Sequence, residues 1–425
     1  MRSNNNIEEV NYLIVGAGVS GLSFANQVKH KSYLIVEKDD EAGGYCKTIK
    51  KQGFVWDYSG HFFHFRDPKI RSFLLKRMAK NTVVDVVKNS KIYYKGSYVD
   101  FPFQKNINQL PKKEFLDCLN DLYKTKKTKP RSFKQMVYNN YGRSIAEKFL
   151  IPYNEKLYAC DLDSLDQNAM GRFFPQASLK EILKHFKKPS NNSYNTTFTY
   201  PMNGAMQYIH ALLKDLKTER ILLNESVIKI DAKNKIAYTT KRTIKYKHLI
   251  SSVPFPKLLS VTKTPFNKKH FSSNKVLVFN LGFDSKGNSE HHWVYFPDKK
   301  YRFYRIGYYD NIIQKNRMSL YVEIGLKTKA KVNVTKELSR VLNGLKKASI
   351  ITDQKLIASH HVVMDPAYVH INKRSQEVFL NKQKLLQKQG IYSIGRYGGW
   401  KYCSIEDNII EAFELSKKLL KGTNR

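Results

Sequence analysis

An apolar run, Tyr12-Leu13-Ile14-Val15, leads directly into Gly16-x-Gly18-x-x-Gly21 and then into the apolar-periodic stretch Leu22 to Val28. Strand, glycine turn and helix in this order leave few folds open. Gly16 permits a tight turn, Gly18 lets backbone N–H groups approach a pyrophosphate, and Gly21 lets the helix pack on the strand with its positive N-terminal end on the phosphates. A second apolar strand, Tyr33 to Val36, ends in Glu37, where a carboxylate can accept ribose hydroxyls. Such a glycine pattern is weak evidence alone. Its place within one complete βαβ length makes it a dinucleotide site.

With 425 residues the chain can bury a large core and build two or three domains. No apolar run approaches the ~20 residues of a membrane-spanning helix. Met1 to Val10 is polar and has no signal-peptide core, so the cytoplasm is the expected location. Cys46, Cys118, Cys160 and Cys403 lie far apart without a C-x-x-C pair, which predicts reduced thiols rather than a zinc site or a disulfide scaffold. His291-His292 and His360-His361 have no carboxylate or cysteine at ligand spacing, so no metal is expected. The formal charge of +38 comes mostly from lysines scattered along the whole length, which reads as a solvated surface and weighs against nucleic acid. A basic field also attracts anionic substrates or a membrane periphery, and Lys105 to Lys129, basic and partly amphipathic, is where peripheral membrane association would fall.

The pattern then changes character several times. Residues 1–65 hold the βαβ start, Gly43-Gly44, Thr48 and the turn Ser59-Gly60-His61. Residues 66–200 read as a mostly helical, Lys-rich substrate domain, with Pro189 to Thr197 as a flexible connector. Residues 201–262 return to the nucleotide domain through a helix, Ala205 to Leu216, and strands Ser226 to Ile230, Lys235 to Thr239 and His248 to Val253. Alternating apolar patterns across residues 263–388 predict an antiparallel-sheet substrate domain, interrupted by one helix, Lys336 to Leu345. Residues 389–425 supply a last strand and the helix Ile405 to Leu420. The expected fold is therefore α/β: a discontinuous Rossmann-like domain of the glutathione reductase type, a helical insertion and an antiparallel sheet.

Glu37-Lys38, Gly43-Gly44 with Thr48, and Gly60-His61 resemble the N-terminal signature of the superfamily of flavin-dependent amine oxidases, phytoene desaturases and UDP-galactopyranose mutases. That resemblance implies FAD, with the second glycine pair against the pyrophosphate and Gly60-His61 bringing main chain to the flavin ring. Three further stretches resemble the UDP-galactopyranose mutase branch. Pro152 to Tyr158 is similar to a segment with two aromatics five apart, here Tyr153 and Tyr158, the second usually Trp; Arg172 follows at the spacing of an arginine that holds the substrate diphosphate. His292 to Pro297, followed by Phe303-Tyr304-Arg305, resembles the segment carrying the second such arginine. Gly395-Arg396-Tyr397-Gly398-Gly399-Trp400-Lys401-Tyr402 is similar to the C-terminal motif, whose arginine contacts FAD and whose second aromatic touches substrate phosphates.

The resemblance implies FAD contacts at Gly16, Gly18, Gly21, Glu37, Lys38, Gly43, Gly44, Gly60, His61, Val227, Gly395, Arg396, Asp407 and Asn408. Tyr153, Tyr158, Arg172, Arg305 and Tyr402 would then bind substrate, and His61, Arg172 and Arg305 would serve catalysis. Read as chemistry alone, two arginines from separate segments can fork onto a diphosphate, and Tyr153, Tyr158, Trp400 and Tyr402 offer stacking faces and hydroxyls. The function implied is a pyranose–furanose mutase acting on a nucleotide-diphosphate sugar such as UDP-galactose through N5 of reduced FAD, for cell-surface glycan synthesis, with an external reductant keeping the flavin reduced. The alternative is an FAD-dependent oxidase or desaturase of the amine oxidase or protoporphyrinogen oxidase type, for which a greasy substrate domain without an arginine pair is expected.

Overall fold

The computed structural model describes residues 7–80, 82–125, 128–187, 196–287 and 289–422. Strand β1 (Glu8–Val15) runs into helix α1 (Val19–Val28), and β2 (Tyr33–Val36) returns parallel to β1. All four residues of β2 are buried, as a parallel strand covered on both faces requires. Thr243–Ser251 lies parallel on the other side of β1, Ile391–Ser393 pairs parallel with its end, and Ile221–Leu222 extends the sheet beyond β2. An antiparallel meander, Val227–Asp231 and Ile236–Thr239, completes seven strands. Three separated pieces of chain thus build one sheet, and the C-terminal helix Ile405–Gly422 packs on α1.

The second sheet has eight strands. Ser272–Phe283 pairs antiparallel with Met318–Lys327 and Leu356–Met364, and Arg305–Tyr308 and Trp293–Tyr295 follow in order. The stretch expected to be mostly helical holds the helices Lys112–Tyr123, Phe133–Ile145, Ile151–Tyr158 and Leu179–Lys187, but it also holds strands. Its hairpin Ser90–Tyr94 and Ser97–Asp100 joins the large sheet through parallel pairing of Ser90–Tyr94 with Trp293–Tyr295, and Val83–Val87 pairs with Thr197–Pro201. A sixteen-residue helix, Lys373–Lys388, adds to the piece read as sheet. The connector read at Pro189 to Thr197 lies largely outside the described residues. No described helix is long and apolar enough to cross a membrane, and all four cysteines are free thiols.

A buried carboxylate fastens the returning chain to the first piece. Asp57 is fully buried and accepts hydrogen bonds from Thr48 Oγ1 (2.6 Å), the Ala205 N–H (2.9 Å) and the Tyr200 hydroxyl (2.9 Å). Burial pushes its carboxyl up from the ordinary 3.8 to about 6, against the opposing pull of those donors. Because the folded value is raised, the stability it contributes is fully present below pH ~3.8 and is lost as pH rises through about 6. Asp57→Asn keeps the shape and removes the titration. Its stability relative to the parent should therefore rise by up to about 3 kcal/mol between pH 4 and pH 7. Thermal or urea unfolding at the two pH values measures this; a difference that does not change with pH would refute it.

Candidate active site

The glycine turn is built as its spacing requires. Gly16 has φ +103° and its N–H donates to the Val36 carbonyl (2.8 Å), tying the end of β1 to β2. A Cβ on Gly21 would lie 2.0 Å from the Gly16 carbonyl oxygen, so this helix approaches its strand only without a side chain. At Gly18 the nearest atom to such a Cβ is Gly44 Cα at 3.9 Å, and the two glycine loops meet in a bridge between Gly18 and Gly43. The protein leaves open space where a pyrophosphate needs it. Glu37 accepts from the N–H groups of Ala17 (2.7 Å) and Asp39 (3.0 Å), which fixes its carboxylate at the edge of the same space.

A single continuous cavity of about 1350 Å³ extends from this turn into the second sheet. It exceeds the 300–1,000 Å³ of an ordinary small-ligand pocket and so has room for a dinucleotide together with a substrate. Gly16, Gly18, Glu37, Lys38, Gly43, Gly44, Val227, Arg396 and Asn408 line it toward the nucleotide end, and Gly60, His61, Tyr153, Arg172, Arg305 and Tyr402 also reach it. Gly21 and Gly395 lie behind the wall and act through packing: Gly395 has φ +84°, and a Cβ there would meet Ser20 Oγ at 2.4 Å. Asn408 Oδ1 accepts from Ser20 Oγ (3.0 Å) and from the Arg396 N–H (2.9 Å), joining α1 to the C-terminal motif. The donor set fits FAD.

Arg305 and Glu323 sit directly opposite each other on paired strands. The guanidinium donates to both carboxylate oxygens, Nε at 2.6 Å and Nη2 at 2.8 Å, and Ser59 Oγ donates to the same buried carboxylate. Two positions along the register, on the same face, Gly307 is opposite Tyr321. A Cβ at Gly307 would lie 2.0 Å from the Tyr321 ring and one at Gly60 2.7 Å from its hydroxyl, so two glycines make room for a tyrosine at the cavity wall. Glu323 and Tyr321 were not foreseen from sequence. Their signal was the period-2 alternation of Met318–Lys327, which becomes informative only once its partner strand is known.

His61 Nδ1 donates to the Ser59 carbonyl (3.0 Å). Burial, reinforced by the Arg396 and Arg305 cations, pushes its pKa down to about 4, so the ring is neutral at pH 7 and is no ready proton donor there. Three expectations need correction. Tyr158 does not reach the cavity: it is 1% exposed and packs behind Tyr368, which takes the wall position. Asp407 is spent on protein cations, accepting from Arg172 Nη2 (2.6 Å), Arg66 Nη2 (2.7 Å) and the Ser404 N–H (2.8 Å), and does not line the cavity. Trp400 is buried against Phe271, away from it. Tyr368, missed from sequence, stacks on Tyr402 at 5.8 Å, and Arg396 lies over both rings.

A discontinuous dinucleotide-binding domain sharing one cavity with an arginine- and tyrosine-lined sheet defines an enzyme of the FAD-dependent oxidoreductase class. The chain belongs to the flavin containing amine oxidoreductase family, which matches it over residues 19–307. Its fold is that of a crystal structure of reduced UDP-galactopyranose mutase, with a TM-score of 0.89 at 23% identity over 98% of this chain and 95% of the other. By sequence it is similar to UDP-galactopyranose mutase of Mycoplasma genitalium, 39% identical over 74 residues, and to chloroplastic protoporphyrinogen oxidase of Nicotiana tabacum, 25% identical over 177 residues. The matched stretches cover 16% and 38% of this chain and span only 18% and 31% of those two relatives.

Proposed function

We propose that the protein is a flavin-dependent mutase that interconverts the pyranose and furanose forms of a nucleotide-diphosphate sugar. The observation that carries this reading is the presence of two arginines from distant segments, Arg172 and Arg305, on the wall of the cavity that also holds the dinucleotide turn. A pair of guanidinium groups suits a departing nucleoside diphosphate, whose charge grows as the glycosidic bond breaks. An oxidase acting on an amine or alicyclic substrate has no use for that pair. The structural likeness to a reduced mutase supports the same choice.

In this reading the chemistry supplied by bound reduced FAD is a nucleophilic N5 directed at the anomeric carbon. The chain's own residues position and neutralise. Arg305 is held rigid by Glu323, while Arg172 is braced by Asp407 and lies against the Phe173 ring, its guanidinium carbon 4.3 Å from the centroid. Tyr153, Tyr321, Tyr368 and Tyr402 surround the space with rings and hydroxyls that exclude water and donate to phosphate oxygens. Neutral His61, anchored on Ser59, keeps the Gly60-His61 backbone in place beside Tyr321.

The family match also keeps an oxidase reading in view. One experiment separates the two: the holoenzyme is incubated with UDP-hexoses, with and without dithionite. A mutase forms the furanose only when reduced and produces no peroxide during turnover. Substrate-dependent peroxide in air without a reductant, and no furanose under reduction, would replace this reading with the oxidase.

A further inference from the structure

Lys88 is a cavity-lining cation outside the dinucleotide and arginine clusters. It lies just before the strand Ser90–Tyr94, whose first residue pairs with Trp293, and Trp293 pairs in turn with Gly307, two residues from Arg305. The sheet therefore carries Lys88 to the same wall as the second arginine. Its ammonium stands 4.9 Å from the centroid of Phe101 and 5.8 Å from that of Trp293. Trp293 stacks face to face on Phe62 at 5.3 Å, and Phe62 adjoins His61. Lys88 is thus two rings away from the segment expected at the flavin.

Among the described residues, Arg172 has Asp407, Arg305 has Glu323 and Lys38 has Asp39, but no carboxylate lies within ion-pair distance of Lys88. Lys105, Lys257 and Arg396 on the same cavity wall likewise lack a described anion, but of these three lysines Lys88 is the one held against two aromatic rings and desolvated by burial. Its neighbour His64 turns Nδ1 to the Thr197 carbonyl (2.9 Å) and is kept neutral by burial, with a pKa of about 4. Burial likewise pushes Lys88 down to about 8, so it is still mostly charged at pH 7. A cation in an aromatic slot, facing a cavity and without a counterion, is under-solvated, and an entering anion relieves it. Arg172 and Arg305 already offer guanidinium forks to the diphosphate, which leaves the point charge of Lys88 for one further monovalent anion.

We propose that Lys88 is a specificity-determining residue that receives a carboxylate on the sugar of the substrate, so that the preferred substrate is a nucleotide-linked hexuronate rather than a neutral hexose. This rests on the nucleotide-sugar reading of the site and names its substrate class. The anomeric carbon stays the reacting atom, and the carboxylate is recognised without reacting.

The test compares binding of UDP, UDP-galactose and UDP-galacturonate to the FAD-loaded protein by calorimetry, in the parent, Lys88→Met and Lys88→Arg. Methionine keeps an apolar stem on Phe101 and Trp293 and removes the charge; arginine keeps a cation. The parent should bind UDP-galacturonate about tenfold or more tighter than UDP-galactose, a preference retained by K88R and lost in K88M. UDP itself should bind all three proteins equally, which also shows that K88M is folded. Equal binding of the two sugars by the parent, or a preference that survives K88M, would overturn the assignment of Lys88 while leaving the mutase reading intact. Failure of UDP to bind the parent would overturn both.

Discussion

Replacing Arg305 with methionine is expected to cost about 3–5 kcal/mol of folding stability, as well as most of the activity. The reason lies in its partner. Glu323 is 1% exposed and takes two charge-assisted bonds from Arg305; without them only Ser59 Oγ remains to a buried carboxylate. An uncompensated buried charge is far more destabilising than a missing surface pair. Arg305→Met combined with Glu323→Gln removes the charges together and should recover most of the stability, because a buried pair replaced as a unit costs little. Activity should not follow. With no guanidinium to carry the charge of a departing diphosphate, turnover should stay about 10²–10³-fold down in the double variant. Urea unfolding beside a turnover assay measures both. A single variant within 1 kcal/mol of the parent would show that the pair holds nothing together, and a double variant with restored turnover would remove Arg305 from the chemistry.

Two glycines three residues apart should fail in opposite ways. In Gly21→Ala the new Cβ lies 2.0 Å from the Gly16 carbonyl oxygen and 3.2 Å from Ile14 Cγ2. Gly16 cannot retreat without losing its hydrogen bond to Val36, so helix and strand must separate, at a cost of about 4 kcal/mol or more and with loss of soluble protein. Gly18→Val meets nothing in the protein nearer its Cβ than Gly44 Cα at 3.9 Å, and its backbone, φ −80° and ψ −177°, suits any residue. Its thermal stability without flavin should stay within about 1 kcal/mol of the parent. The side chain fills the space that a pyrophosphate needs, and purified protein should retain almost no flavin. Flavin absorbance per polypeptide and unfolding of the flavin-free forms read the two effects. Normal flavin content in G18V would place the dinucleotide elsewhere.

The contrast between these positions shows what was legible. Gly16, Gly18, Gly21 and Glu37 were readable because the backbone conformations they require are local, and α1 and β2 follow within a few residues of each other. The pieces at 201–262 and 389–425 were recognisable by their apolar strands, and the structure puts Thr243–Ser251 and Ile391–Ser393 into the same sheet as β1. The hairpin Ser90–Asp100 was hidden in a stretch of helical composition, since its place is set by pairing with Trp293–Tyr295 some two hundred residues later. Tyr158 and Tyr368 illustrate the same limit in the site. Both are tyrosines near arginines, yet one is packed behind the other.

By itself, the sequence determined a glycine turn of the form that suits a dinucleotide, a domain assembled from separate pieces, and which arginines are worth following. Only the tertiary structure decided which cations are already neutralised: Arg305 by Glu323, Arg172 by Asp407, and Lys88 by no described carboxylate. The physical reason is that turns and helices are specified by neighbours in the chain, whereas the charge a side chain meets depends on strand register between segments far apart. A shift of one residue would turn Glu323 away from Arg305, and nothing in the local sequence would record the change.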